Sequence, residues 1–226
     1  VVTVYKRGKL VYDNGVVADF EKPYIPDHLD AQAHDTFHLP RLYAKDFANN
    51  RRKVIIGMVD GQIITEDKDY ADSVDVEKDI LKMAVVERHR NTGHIGLGYL
   101  QGYGLKEGAV ATSVSHDSHN IICVGCNDED MAFAVNRIAE NKGGIVVVKD
   151  GSVIAELPLE IAGLMSSKPL VEVNDLLETA KAAAHSLGVG TGIDPFMTLS
   201  FMALPVIPTV RLTTRGVVDV ITQQYI

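Results

Sequence analysis

Asp-Gly placed between two runs of β-branched residues forces the chain to reverse tightly. Both turn positions then need positive φ, which Gly adopts without a Cβ penalty. The dipeptide lies inside Ile55-Ile56-Gly57-Met58-Val59-Asp60-Gly61-Gln62-Ile63-Ile64 and again inside Ile145-Val146-Val147-Val148-Lys149-Asp150-Gly151-Ser152-Val153-Ile154. A related unit opens the chain. Val2 and Val4 lead to a turn at Arg7-Gly8-Lys9, Leu10-Val11-Tyr12 returns, and Asp13-Asn14-Gly15 turns once more. The spacing of the three units is irregular, so they read as separate hairpins and not as a solenoid repeat. With 226 residues, the chain can bury a sizeable core in one large domain or two small ones.

Around the hairpins the periodicity changes. Residues 79–87 read as a buried strand, with a short helix as the alternative. The glycines of 93–104 imitate a nucleotide fingerprint at the wrong spacing. They fit a glycine-kinked strand approached closely by backbone or ligand. Asn127 is placed to cap a helix running to about Asn141, with Asp128, Glu129 and Asp130 in its first turn. Its apolar face is Met131, Ala134, Val135 and Ile138, and Gly143-Gly144 ends it. A second helix is expected from Val171 to Leu187, burying Val173, Leu176, Leu177, Ala180 and Ala184, with Gly188–Gly192 as a flexible stop. The apolar, proline-broken stretch 194–208 is expected to pack under the domain or against a partner domain. These elements make an α/β (α+β) chain: a mixed sheet with several hairpins and at least two packed helices.

Composition narrows the function classes. A net charge of -8 argues against a duplex nucleic-acid binder, which would show a basic patch. The short basic spots Arg51-Arg52-Lys53 and Arg88-His89-Arg90 read as solvated surface. No apolar run approaches the ~18 residues of a membrane span. The opening Val1-Val2-Thr3-Val4 does not look like a secretory leader, and the missing initiator Met suggests a fragment. Cys123 and Cys126 cannot build a disulfide framework, so a cytoplasmic protein is expected. Their CxxC spacing lacks the second pair that a structural zinc site needs, and they read as two small core-facing residues. Residues 21–50, with Pro23, Pro26 and Pro40, read as a connector. His34 and His38 within it would suit a metal only on a helix, and the segment shows no apolar stripe.

Polar residues concentrate at one place. Ser113-Val114-Ser115-His116-Asp117-Ser118-His119-Asn120 holds two histidines, a carboxylate, three hydroxyls and an amide. It is flanked by the apolar runs Ala109-Val110-Ala111 and Ile121-Ile122-Cys123-Val124, both read as buried strands. Polar groups at the edge of a core are unfavourable unless paired, which points to a site. Three readings stay open. His116 and His119 could ligate a metal with help from Asp117; either imidazole could move a proton near neutral pH; or the side chains could satisfy buried backbone groups. The zinc patterns H-x-E with P-C-x-x-C and H-E-x-x-H are absent.

Several runs together carry a resemblance. Val114–Ile122, Gly125-Cys-Asn-Asp-Glu-Asp-Met131 and Ala134-Val-Asn-Arg137 are similar to the C-terminal domain of bacterial-type adenine deaminase. So are Ala84-Val-Val-Glu-Arg-His89, Leu157-Pro-Leu159, Ile161-Ala-Gly-Leu-Met-Ser166, Asp194-Pro-Phe-Met-Thr-Leu-Ser-Phe201 and Leu204-Pro-Val-Ile-Pro208. Val4–Val11 resembles the last strands of the small, β-sandwich-like domain that flanks the barrel in those amidohydrolases. The resemblance implies residues 1–20 as the end of that β-domain, 21–50 as the connector and 51–226 as the C-terminal domain. It further implies adenine and water as substrates and hypoxanthine and ammonia as products. A divalent manganese or iron would sit in a (β/α)₈ barrel, which is also the expected partner domain, and the chains would form homo-oligomers.

No two histidines here are two apart, so the H-x-H of the barrel is missing. The metal ligands are therefore expected outside this chain, which alone should be inactive. On this reading His116, Asp117 and His119 act catalytically, and Ser115, Ser118 and Asn120 bind substrate, on a loop facing the barrel mouth. Two alternatives are a non-catalytic module that binds a purine or a protein, and an independent metal hydrolase.

Overall fold

The computed structural model describes residues 1–19, 24–49 and 53–226. Pro23 of the connector and Arg51 and Arg52 of the first basic spot lie outside the described residues. The described residues form two compact units, Val1–Gln32 and Ala33–Ile226.

In the first unit β1 (Thr3–Lys6), β2 (Lys9–Asp13) and β3 (Val16–Val17) form an antiparallel meander. Its two turns carry positive φ at Arg7 (51°) and Gly8 (75°), then at Asn14 (46°) and Gly15 (90°), where the sequence places them. Helix α1 (Asp27–His34) follows in a stretch without helical periodicity, and it buries none of its residues. Asp27 and Asp30 in its first turn favour the positive end of the helix dipole. Because α1 ends at His34, His38 does not share its face.

Among the described residues the second unit is built on an eight-stranded mixed sheet. Its strands are β4 (Lys53–Met58), β5 (Thr65–Ala71), β6 (Ile80–Val86), β7 (Ile95–Gln101), β8 (Ala109–Thr112), β9 (Ile121–Gly125), β10 (Gly144–Lys149) and β11 (Ser152–Pro158). They lie in the order β11-β10-β8-β9-β6-β7-β4-β5, and the one parallel pair among them is β4 with β7. Residues 79–87 are thus strand and not helix.

The two-residue period of a strand sends alternate side chains to opposite faces. Leu81, Met83, Val85, Val110, Ile122, Val124, Ile145 and Val147 enter one core. Ala84, Val86, Ala109, Ala111, Ile121, Cys123, Val146 and Val148 enter the other. The central strands are covered on both sides, which explains their unbroken apolar runs.

The second face is covered by α2 (Asp128–Glu140), capped as expected: the Asn127 side chain accepts from the Asp130 N–H at 2.7 Å. Residues 33–49 also pack into this unit. Leu42 and Phe47 are buried, and Asn136 of α2 bonds both the N–H and the carbonyl of Leu42, at 3.0 and 2.7 Å. The first face is covered by α3 (Leu170–Ser186), α4 (Pro195–Met202) and an antiparallel sheet of β12 (Val210–Thr213), β13 (Gly216–Asp219) and β14 (Gln224–Tyr225). On α3 Ala180 and Ala184 are fully buried, whereas Val173, Leu176 and Leu177 are half-buried against the core. Stretch 194–208 packs under the domain through α4, where Phe196, Leu199 and Met202 are buried, although Val206 stays exposed. Among the described residues no helix is long and apolar enough to cross a membrane.

Several expectations need correcting. The turn at Asp150-Gly151 is the two-residue reversal expected, joining Lys149 to Ser152. The one at Asp60-Gly61 is not: Met58 pairs with Thr65 across a longer loop, and Gln62-Ile63-Ile64 is not strand. Buried Arg211 explains the difference, because it binds the carbonyl of Ile63 and the hydroxyl of Thr65 and draws this segment towards β12. Gly188–Gly192 is not a loose stop. Gly190 N–H donates to Tyr103 O (3.1 Å), and Leu187 just before the segment accepts from Lys106 N–H (2.8 Å).

Candidate functional site

The polar octet 113–120 joins β8 to β9, two adjacent strands in the interior of the sheet. Its base is structural. Ser113 Oγ donates to Gly163 O at 2.6 Å and accepts from Gly144 N–H at 2.8 Å. Ser115 is fully buried; its carbonyl accepts from His119 N–H at 2.7 Å. Its hydroxyl therefore lies beneath the loop and does not face solvent.

His116 projects outward, its side chain 45% exposed, and stacks on Phe201 of α4 with ring centroids 5.1 Å apart and planes 14° from parallel. Its N–H donates to Ser200 O, so α4 sets the height of the loop. Asp117 and Ser118 are exposed, and Asp117 approaches His116 Nδ1 at 3.4 Å. His119 and Asn120 are half-buried. His119 takes the left-handed φ of 48°, which turns its carbonyl inward. The loop thus brings His116 and His119 together on one reversal, with Asn120 beside them, and leaves Asp117 and Ser118 at the rim.

Three side-chain atoms of this loop are buried without a hydrogen-bond partner: Ser115 Oγ, His119 Nδ1 and Asn120 Oδ1. Unpaired buried polar atoms each cost about 1–3 kcal/mol, so three on one loop mark a place where something else supplies partners. Burial first, then the Arg88 charge and the neighbouring His116, push the His119 imidazole below the ordinary histidine range. Its surroundings thus disfavour the imidazolium form.

Arg88 is the residue that sequence reasoning missed. It reads as solvated surface within Arg88-His89-Arg90, yet it is only 2% exposed. Its guanidinium donates to His119 O (2.6 Å), Thr36 O (2.8 Å) and Ala162 O (2.9 Å), and it lies over the Phe37 ring at 4.2 Å. Burial lowers its pKa to about 10, which still leaves it charged. The signal was parity: Ala84 and Val86 face the second core, and Arg88 continues the same alternation just past the strand end. His89 and Arg90 are exposed as expected, though His89 Nε2 also reaches Ser118 O at 2.8 Å.

The cysteines behave as core residues. Cys123 packs on the second face and Cys126 against the first, so the sheet separates them. Burial raises the Cys126 pKa to about 11 and that of Cys123 further, so neither is a thiolate at neutral pH. Among the described residues no three His, Cys, Asp or Glu side chains are grouped to hold a metal ion.

Comparison with known proteins agrees with the loop sequence. Residues 55–224 match the family described as adenine deaminase C-terminal domain. The chain is 49% identical over 183 residues to an adenine deaminase of Brucella anthropi, a match covering 78% of this chain and 32% of that protein. It is 42% identical over 231 residues to adenine deaminase 2 of Carboxydothermus hydrogenoformans, covering 97% and 40%. It is 43% identical over 241 residues to an adenine deaminase of Listeria welshimeri, covering 99% and 40%. The chain thus spans between a third and two fifths of the length of these relatives. With three quarters of its residues inside one domain family and relatives above 40% identity along nearly its whole length, the chain belongs to the adenine deaminase C-terminal domain family.

Proposed function

We propose that this chain is the C-terminal portion of a metal-dependent adenine deaminase of the amidohydrolase type, which converts adenine and water to hypoxanthine and ammonia. In this reading the loop 113–120 completes or covers an active site held by a partner barrel domain. The observation that carries it is the set of three buried polar atoms without partners on a loop clamped from below. The relatives, two and a half to three times longer than their matching segment, support it.

The roles follow from position. The His119 ring accepts a proton or a hydrogen bond at Nδ1. Asn120 offers an amide, which suits the alternating donors and acceptors of a purine edge. His116, backed by Phe201, presents an aromatic face to a planar base. Asp117 and Ser118 stand at the mouth, and Ser115 supports His119 from beneath. Manganese or iron would supply an activated water. Among the described residues no donor set fits such an ion, so on this reading its ligands lie in the barrel and no step here runs through it. Cytoplasmic residence, a role in purine metabolism and assembly of copies accompany this reading.

The test uses a chimera in which this chain replaces the matching segment of the Listeria welshimeri adenine deaminase. It should release hypoxanthine from adenine, while the 226 residues alone, with manganese or iron, should not. His116→Ala and His119→Ala in the chimera should each lower kcat/KM by roughly tenfold or more. Unchanged kinetics in both would leave the loop a purely structural element.

A further inference from the structure

A cavity of about 370 Å³ opens beside the candidate loop, lined by Glu87, His89, Arg90, His94, Asn120 and Arg215 among others. Its charge runs against the chain as a whole, which carries -8. Among the described residues the one carboxylate that lines it, Glu87, is already engaged. Glu87 Oε1 accepts from the N–H groups of His89 (2.6 Å) and Arg90 (2.9 Å). Its Oε2 accepts from the N–H (3.0 Å) and hydroxyl (2.9 Å) of Thr92. Burial opposes its ionisation, but these donors outweigh burial and hold its pKa below the usual carboxylate range. With its lone pairs committed to the loop, Glu87 cannot also hold a guanidinium.

Arg90 and Arg215 engage only through their backbone N–H groups, to Glu87 and to Thr213. Among the described residues neither guanidinium has a hydrogen-bond or ion-pair partner. They come from the β6–β7 loop and the β12–β13 turn, which meet because Gly96 has no side chain. A Cβ there would lie 1.8 Å from Thr213 O. Asn120 also lines the cavity, and its side-chain N–H group, not its oxygen, is the part that can donate to an anion.

We propose that this cavity binds a phosphate-bearing anion. Two arginines, two histidines and the Asn120 amide line one space. A phosphate group has enough oxygens to answer them together, whereas a carboxylate has only two. The site is coupled to the candidate loop at two points: His89 Nε2 meets Ser118 O at 2.8 Å, and Asn120 belongs to both. An anion in the cavity therefore restrains the segment that carries His119. The inference stands apart from the deaminase reading, because adenine, hypoxanthine and ammonia carry no phosphate.

The test is a heteronuclear NMR titration of the labelled chain with inorganic phosphate, with adenosine monophosphate, and with adenosine and glutamate as controls. Saturable shifts at Arg90, Ser118, Asn120 and Arg215 are expected with phosphate or the monophosphate. Equal affinity for both would assign free phosphate, and tighter binding of the monophosphate would assign a nucleotide. R90A/R215A should weaken binding by roughly tenfold or more. Both side chains are exposed, so the melting curve should be unchanged; if it moves, R90Q/R215Q, which retains polar stems, takes its place. Absence of saturable shifts, wild-type affinity in the double variant, or equal binding of adenosine or glutamate would overturn the proposal.

Discussion

Arg88 Nε donates to the carbonyl of His119 at 2.6 Å across 31 residues of sequence. This one bond ties the end of a core strand to the apex of the candidate loop. The same guanidinium holds Thr36 and Ala162, so three distant segments share one buried cation whose hydrogen bonds, among the described residues, go to carbonyls and a hydroxyl. An ion pair would demand a buried carboxylate; backbone carbonyls supply partial negative charge from groups that must be satisfied in any case.

Arg88→Lys keeps the charge but loses the fork. A single ammonium cannot reach all three carbonyls, and those left unpaired should destabilise the fold by about 2–4 kcal/mol. Urea unfolding measures this. Hydrogen exchange should quicken at His119 and Asn120 more than in α2. Wild-type stability together with wild-type exchange would show that the clamp carries nothing.

Stability should depend on pH through His119. Its folded pKa is depressed, so the unfolded chain binds the proton more tightly. The contribution is complete above the unfolded pKa of about 6.5 and is lost as pH falls through the lower folded value. The melting temperature should therefore drop as pH falls below about 6.5, and His119→Gln should flatten that decline. Depressed carboxylates such as Glu87, Glu156 and Glu160 act only at lower pH, where their protonation removes a second share of stability.

Gly96→Ala should be among the harsher small substitutions in the fold. Its Cβ would meet Thr213 O at 1.8 Å and Thr213 C at 2.9 Å, both backbone atoms that cannot rotate away. A loss of about 2–3 kcal/mol or more is expected, read as a lower urea midpoint. An equal midpoint would mean that the β12–β13 turn does not pack where the structure places it.

Asp130→Ala separates two roles of one carboxylate. The sequence assigns Asp130 to the first turn of a helix, but its oxygens also accept from Gly151 N–H (2.8 Å), Asp150 N–H (3.3 Å) and Asn127 Nδ2 (2.9 Å). Removing it should cost about 2 kcal/mol, and Asp130→Asn about half as much. Exchange should quicken at the Asp150-Gly151 turn, which a helix-dipole role alone would not affect.

Elements held by local rules were legible in the sequence. The Arg7-Gly8, Asn14-Gly15 and Asp150-Gly151 reversals, the Asn127 cap and the alternation along β6 and β10 all follow from neighbours within a few residues. So did the placement of 113–120 between two buried strands, since a polar octet inside apolar runs is visible in one dimension. The helix at Asp27–His34 was not, because it buries none of its residues and so leaves no apolar stripe to read. Neither was the loop at 59–64, whose course is set by Arg211 from the far end of the chain.

The sequence alone determined the central strands from β6 to β10, helices α2 and α3, the family and the identity of the polar loop. Each rests on local periodicity, capping or contiguous residue runs. Tertiary structure alone decided which carbonyls hold Arg88, that burial pushes the His119 imidazole below its ordinary range, and that Arg90 and Arg215 line one cavity. Those properties depend on which distant carbonyls, glycines and apolar surfaces surround a side chain, and burial and electrostatic field are set only when the chain closes on itself.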